Sequence, residues 1–299
     1  MTDILAEIIN GHPPPAVLYH YTTQVGLLGI IGEGEIWATH TQYLNDRREY
    51  VHAVEQVRAE ITYQKDNAKS ELENEALGEM LRAASDNIQS INVCVCSFSE
   101  NGDSLSQWRA YGESTAGFSI GFDTDFLARC VTREQFYLSP CVYDPREQAT
   151  LVRKLVEEVL SQILAHRDLP PTDDHFFFWR HGGNLVPFLH RVAPAIKDKA
   201  FADEREWRII SRPVGVISKG FAFRPGKSMI TPYYKIPLFG NPDDVGRPRV
   251  RRIVVGPTPN PELSKRSVRS LILSERLERI VAPGGVIDID DSTVPYRSW

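Results

Sequence analysis

Apolar and polar residues change period several times along the chain, and the changes mark its elements. Residues 16–22 (AVLYHYT) combine aromatic and β-branched side chains and read as a strand. Residues 24–31 follow as a short helix with Leu27, Leu28 and Ile31 on one side, stopped by Gly32 and Gly34. A second short strand is expected at 36–39. From 46 to 84 the chain is charged and alanine-rich, with Tyr50, Val54, Val57, Ile61 and Tyr63 at near-helical spacing. That pattern predicts one long helix or a helical hairpin, and Gly78 does not decide between them. Residues 91–98 (INVCVCSF) are apolar at both parities, as in a strand buried on two faces at the centre of a sheet. A polar turn at 99–103 leads into a short helix carrying Trp108 and Tyr111, then a strand at 117–122.

After the strands at 91–98 and 117–122, Val142 and Tyr143 form a candidate third. A helix over 145–165 then repeats Leu151, Leu155, Val159 and Ile163 every fourth residue. Pro170 and Pro171 precede an aromatic patch at 176–179, and 187–199 reads as helical. From Trp207 onward the pattern is β: WRIIS, GFAFRP, YYKIPL and RRIVVGP, closed by a helix over 261–277 and a strand at 286–289. No repeat, linker or composition break interrupts the chain. The expected fold is one α+β domain over 1–299, with helical insertions at 46–86 and 145–200. Regular βαβ alternation is missing, which argues against a Rossmann sheet.

Composition narrows the class. Hydrophobic residues make up 42% and charged residues 24% of the 299, the balance of a globular protein rather than a disordered one. Net charge is 34 − 39 = −5, which argues against a protein that coats nucleic acid or anionic membranes but leaves room for a local basic cleft. Cys94, Cys96, Cys130 and Cys141 have neither C-x-x-C spacing nor the density of a disulfide scaffold. The N-terminus reads as a short acidic amphipathic helix, without the basic start and apolar core of a signal peptide. No apolar run has the length of a membrane span. A soluble, cytoplasmic protein that does not bind membranes is expected.

Most enzyme signatures are missing, including G-x-S-x-G, the P-loop, G-x-G-x-x-G after a strand and H-E-x-x-H. His181-Gly182-Gly183-Asn184 resembles part of an oxyanion loop, but with no nucleophile motif it reads as a turn. Cys94 and Cys96 share a strand face with no histidine at ligand spacing, so they read as buried hydrophobes and no metal site is expected. Arg247, Arg249, Arg251 and Arg252, with Lys265 and Arg266, form either a solvated face or a phosphate-binding rim. His20 alternates with Tyr19 and Tyr21 and so faces the other side of its strand, as a core residue or a ligand contact. At 204–206 two glutamates stand where a strand begins. On a strand Glu204, Glu206 and Arg208 share one face, while Arg205 and Trp207 share the other. Like charges so close raise one another's pKa unless a cation or ligand intervenes, and Arg208 is the evident neutraliser. The plainer alternative is an exposed, salt-bridged edge.

Five motifs occur in order: Y-H-Y-T-T at 19–23, L-N-D-x-x-E at 44–49, F-S-E-N-x-D-S-L-S-Q-W-x-x-Y-G at 98–112, G-F-S-I-G-F at 117–122 and E-x-E-W-R at 204–208. Over about residues 17–280 they resemble a bacterial and phage-associated family catalogued as domain of unknown function 2971. A second resemblance rests on Tyr19-His20-Tyr21-Thr22, the helix with Leu27, Ile30 and Ile31, and Gly-Glu-Ile at 34–36. This opening is similar to that of NAD-binding ADP-ribosyltransferases, a group that includes DNA-modifying toxins and RNA 2′-phosphotransferases.

That second resemblance implies an ADP-ribosyltransferase-like split β-sheet core with helical insertions and NAD as co-substrate. His20, Tyr21 and Thr22 would hold NAD, with Arg208 beside them, and Glu206 would be the catalytic glutamate with Glu204 as its partner. Tyr21, Trp108 and Tyr111 would supply the aromatic ring that stacks on nicotinamide. The acceptor would be a nucleic acid or a protein, and the role that of a toxin or phage-defence effector. The superfamily's middle motif has only Gly117-Phe118-Ser119-Ile120 as a loose counterpart. Two other classes stay open. One is a non-catalytic binding or sensor module in which His20, Asn45, Asp46, Glu49, Glu204, Glu206 and Arg208 form a polar network. The other is a metal-dependent phosphodiesterase using Asp46, Glu49, Glu204 and Glu206, since clustered carboxylates suit Mg²⁺.

Overall fold

The computed structural model describes residues 11–44, 47–86, 92–111, 117–167, 185–226, 228–238, 249–274 and 286–295. The expected N-terminal helix, Asn45 and Asp46, the aromatic patch at 176–179, the turn at 181–184 and Arg247 lie outside these residues.

The strands are β1 (Val17–Thr22), β2 (Glu35–His40), β3 (Cys94–Ser99), β4 (Phe118–Asp123), β5 (Tyr137–Pro140), β6 (Glu206–Ile210), β7 (Phe221–Pro225), β8 (Ile230–Pro237), β9 (Val250–Val255) and β10 (Asp288–Asp291). Among the described residues they form one open, ten-stranded sheet in the order β10-β9-β4-β1-β3-β2-β8-β7, with β6 beside β3 and β5 beside β6. Every pairing is antiparallel except the parallel β9–β10 pair. The α+β class is therefore as expected.

One junction shapes the site. Strand β6 runs along a full edge of β3, from Ser99↔Glu206 to Val95↔Ile210. The other edge of β3 is shared: β1 meets it only at Tyr19↔Ser99, and β2 only at Thr39↔Val95 and His40↔Cys94. Between these contacts β1 and β2 diverge, so the sheet forks opposite Cys96, Ser97 and Phe98. Helix α1 (Gln24–Glu33) links the two prongs. Thr23 caps its N-terminus by accepting from the Gly26 N–H at 3.2 Å, and Gly34 ends it in the left-handed conformation at φ 72°.

Because cross-strand partners share a face, the registers divide the sheet into two surfaces. One carries Leu18, Ile36, Cys96, Phe98, Phe122 and Trp207, all buried in the main hydrophobic cluster. Among the described residues three helices cover it: α1 with Leu27 and Ile31, α5 (Thr124–Glu134) with Phe126, Leu127 and Val131, and α8 (Pro261–Ser274) with Val268 and Ile272. The sequence pattern did not mark α5. Asp123 caps it by accepting from the Phe126 N–H at 3.1 Å, and Gln135 ends it at φ 57°. The strand expected at 142–143 is displaced to β5, and Val142 makes only an isolated bridge to Ile196.

The stretch from 46 to 84 is two helices, α2 (Arg47–Asp66) and α3 (Glu71–Asp86). The break falls at 67–70, where the Asn67 amide donates to the Tyr63 carbonyl at 2.8 Å and Ser70 accepts from the Glu73 N–H at 3.2 Å. Gly78 sits inside α3. Helices α2, α3, α6 (Pro145–Arg167) and α7 (Leu185–Val192) bury Val57, Ile61, Met80, Leu155, Val159 and Leu189 in one cluster. A smaller cluster of Val93, Val95, Ala195 and Ile210 joins this helical layer to the second face of the sheet. No helix among the described residues is long and apolar enough to cross a membrane.

Candidate functional site

The second face of the sheet is polar where the first is apolar. In register across β6, β3, β2 and β8 stand Glu206, Arg208, Ser97, Thr39, Trp37 and Tyr233. Helix α4 (Leu105–Tyr111) and the 3₁₀ segment Lys199–Glu204 border this face. A cavity of about 610 Å³ opens at the fork, within the range that holds small molecules and cofactors.

His20, Tyr21 and Thr22 of β1 line the cavity, as does Tyr111 of α4. Glu204, Glu206 and Arg208 line it as well, although Glu206 lies 186 positions beyond His20. Trp108 does not. It is buried against Tyr21, with ring centroids 4.7 Å apart in an edge-on arrangement, and its indole N–H donates to Asp103 Oδ1 at 2.7 Å. Trp108 and Tyr111 thus share a helix but have different roles: one fixes Tyr21, the other stands half-exposed at the opening.

The glutamate pair departs from the expected geometry. Glu204 ends the 3₁₀ segment rather than starting a strand, because Arg205 takes a left-handed conformation at φ 43°. Glu206 alone is on β6. The carboxylates are still brought together by Lys197, whose Nζ donates to Oε2 of both Glu204 and Glu206. Arg208 adds two bonds to Glu206, Nε to Oε1 at 2.8 Å and Nη2 to Oε2 at 3.1 Å, while its Nη1 donates to the Pro194 carbonyl at 2.8 Å. The Glu206 N–H donates to the Tyr143 hydroxyl at 2.8 Å. Lys197, Glu206 and Arg208 are all buried, so the cluster is not an exposed edge.

Burial opposes ionisation of Glu206, but the charges of Arg208 and Lys197 and their hydrogen bonds overcome it and bring the carboxyl down to about 2. Lys197 moves the other way: burial disfavours its charge, yet Glu206 raises it above the usual lysine range. Both groups are therefore charged across the physiological range. Lys197 had no signal in the sequence. It sits in an apolar stretch at no motif spacing, and the Val142–Ile196 bridge brings it to the carboxylates.

His20 is held by Ser97, whose carbonyl lies 2.9 Å from Nδ1. A carbonyl can only accept, so Nδ1 carries the hydrogen and Nε2 is left as an acceptor. Burial keeps the ring below its usual pKa, with the charge of Arg224 acting in the same direction against the Ser97 bond, so His20 is neutral at pH 7. Cys96 lies beside it, its Sγ 3.7 Å from Nδ1, and burial pushes that thiol up. Such a thiol is inert.

Within the basic run, Arg251 pairs with Asp123, Arg252 with Asp290, and Lys265 with Glu262 and Asp291. Among the described residues no three His, Cys, Asp or Glu side chains are grouped to hold a metal ion. Asp46, one of the four carboxylates of the phosphodiesterase alternative, lies outside them.

Residues 107–209 match a family model described as "Protein of unknown function (DUF2971)", which bears out the first resemblance over that stretch. The matched segment contains Trp108, Tyr111, Lys197, Glu204, Glu206 and Arg208. No curated protein and no solved structure matches the chain.

Proposed function

We propose that the cavity at the fork binds NAD and that the protein is an ADP-ribosyltransferase-like enzyme acting on a nucleic acid or protein. One observation carries this reading: a neutral histidine on β1 and an ionised glutamate on β6, remote in sequence, line the same cavity. The divergence of β1 and β2 at that point supports it, since the resemblance implies a split sheet.

The residues present suit the co-substrate. His20 Nε2 is an acceptor for a ribose hydroxyl, and the half-exposed rings of Trp37, Tyr43 and Tyr111 offer faces for a flat heterocycle. Breaking the nicotinamide–ribose bond develops positive charge on the sugar, which a fixed carboxylate stabilises. Glu206 is that carboxylate, and Lys197 and Arg208 keep it ionised and in position.

A second reading has its own observation. Both oxygens of Glu206 already accept bonds from cations, as in a structural ion cluster. A module that binds a nucleotide without cleaving it needs nothing more. Incubating wild type and Glu206→Gln with NAD labelled in the ADP-ribose part, in the presence of pooled nucleic acid or protein, separates the two. Release of nicotinamide with transfer of label by the wild type, and neither by the variant, is the expected result. NAD binding without release in either pool would favour the binding module.

A further inference from the structure

Three cationic side chains line the cavity: Lys197, Arg208 and Arg224. Lys197 and Arg208 are committed to the carboxylates of Glu204 and Glu206. Arg224 is different. It stands on β7, and its side chain passes the adjacent strand β8 to reach β2, where Nη2 donates to the Thr39 hydroxyl at 2.8 Å. Its guanidinium carbon lies 5.7 Å from the ring centroids of both Trp37 and Tyr233, whose own centroids are 4.4 Å apart. Among the described residues it has no carboxylate partner. Of the five N–H donors of a guanidinium, one hydroxyl engages one, and the ring faces attract the charge without accepting a conventional hydrogen bond.

We propose that Arg224 anchors a phosphate of the ligand, so that the cavity is a site for a phosphorylated nucleotide whose phosphate lies beside Thr39 of β2. A planar guanidinium with spare donors fits phosphate oxygens in a two-pronged arrangement, and it gains most where it is shielded from water and lacks a counterion. The Trp37–Tyr233 pair restricts its rotamers and so lowers the ordering cost of binding. Arg224 is also close enough to His20 for its charge to disfavour the imidazolium, which puts the phosphate anchor and the hydroxyl acceptor in one electrostatic environment. This inference deepens the reading above and rests on it only for the cavity being the ligand site.

Titration calorimetry of adenosine and ADP against wild type, Arg224→Gln and Arg224→Lys tests it. In the wild type ADP should bind about 10- to 100-fold more tightly than adenosine, the range of a charge-assisted phosphate contact, and the advantage should shrink as salt rises. Gln keeps a polar side chain of similar girth but loses the charge and the fork of donors, so R224Q should keep its adenosine affinity while losing the preference for ADP. R224K should retain part of it. Equal affinities in the wild type, an undiminished preference in R224Q, or no binding of either probe would overturn the inference. Nicotinamide release is not read here. A protein that holds ADP through Arg224 but leaves NAD intact would keep this inference and lose the transferase reading.

Discussion

Arg208 holds Glu206 from two residues along the same strand, with Nε 2.8 Å from Oε1 and Nη2 3.1 Å from Oε2. Alternation puts both side chains on one face of β6, and Lys197 closes the cluster from the segment that follows α7. Two carboxylates and two cations cancel, which makes burying Lys197, Glu206 and Arg208 beside the partly exposed Glu204 tolerable.

Removing one partner should expose that cost. Lys197→Met leaves Glu204 without its cation and Glu206 with Arg208 alone, so unfolding by urea should show a loss of about 3 kcal/mol. Combining it with Glu206→Gln should cost less than the sum of the single changes, because the two residues interact directly. Additive losses would mean that Lys197 and Glu206 act independently.

Acid should destabilise the protein in two windows. The folded pKa of Glu206 is about 2 against an ordinary 4.5, so its contribution is complete above about pH 4.5 and is lost as pH falls towards 2. His190 is buried and neutral, its pKa lowered from 6.5 to about 4 by burial, with His40 adding to the effect. The unfolded chain therefore takes up a proton there that the folded chain refuses, and stability falls from about pH 6.5 to 4. Melting temperatures measured from pH 7 to 2 should flatten in the lower window for Glu206→Gln and in the upper one for His190→Gln. Unchanged pH profiles in both variants would refute these assignments.

Asp103 ties the cavity wall to the end of the chain. Its carboxylate accepts from Trp108 Nε1, the Ser292 and Thr293 hydroxyls and the Thr293 N–H. The Tyr21 hydroxyl secures the same turn, donating to the Asn101 carbonyl at 2.7 Å and accepting from the Ser104 N–H at 2.8 Å. Asp103→Asn turns one acceptor oxygen into an NH₂ that opposes these donors, so a loss of about 1–3 kcal/mol is expected. Protease cleavage after β10 should be faster in the variant, and an unchanged cleavage rate would show that Asp103 is not the tie.

The strands with clear alternation or apolar runs, β1, β2, β3, β4 and β9, were legible within a few residues, because half-buried or fully buried strands imprint their burial on the sequence. Helix α5 was not. Its buried positions 126, 127, 130 and 131 cover barely two turns between two strands, too short a span for periodicity to register. Of the site, His20 and the E-x-E-W-R segment stood out, but the geometry of Glu204 did not, since nothing in the residue type announces a left-handed Arg205. Lys197 and Arg224 were missed for a common reason. Each reaches the cavity through a tertiary contact, the Val142–Ile196 bridge for one and the crossing of β8 for the other, and neither leaves a spacing in the chain.

The most direct measurement is NAD binding to Glu206→Gln protein, with and without His20→Ala. Using the Gln variant separates affinity from turnover. The expected result is saturable binding to Glu206→Gln that weakens at least tenfold when His20 is also replaced, with the fold retained in both by circular dichroism. Equal affinity with and without the histidine, or no binding of NAD by Glu206→Gln and wild type alike, would contradict a ligand site shared by His20 and Glu206.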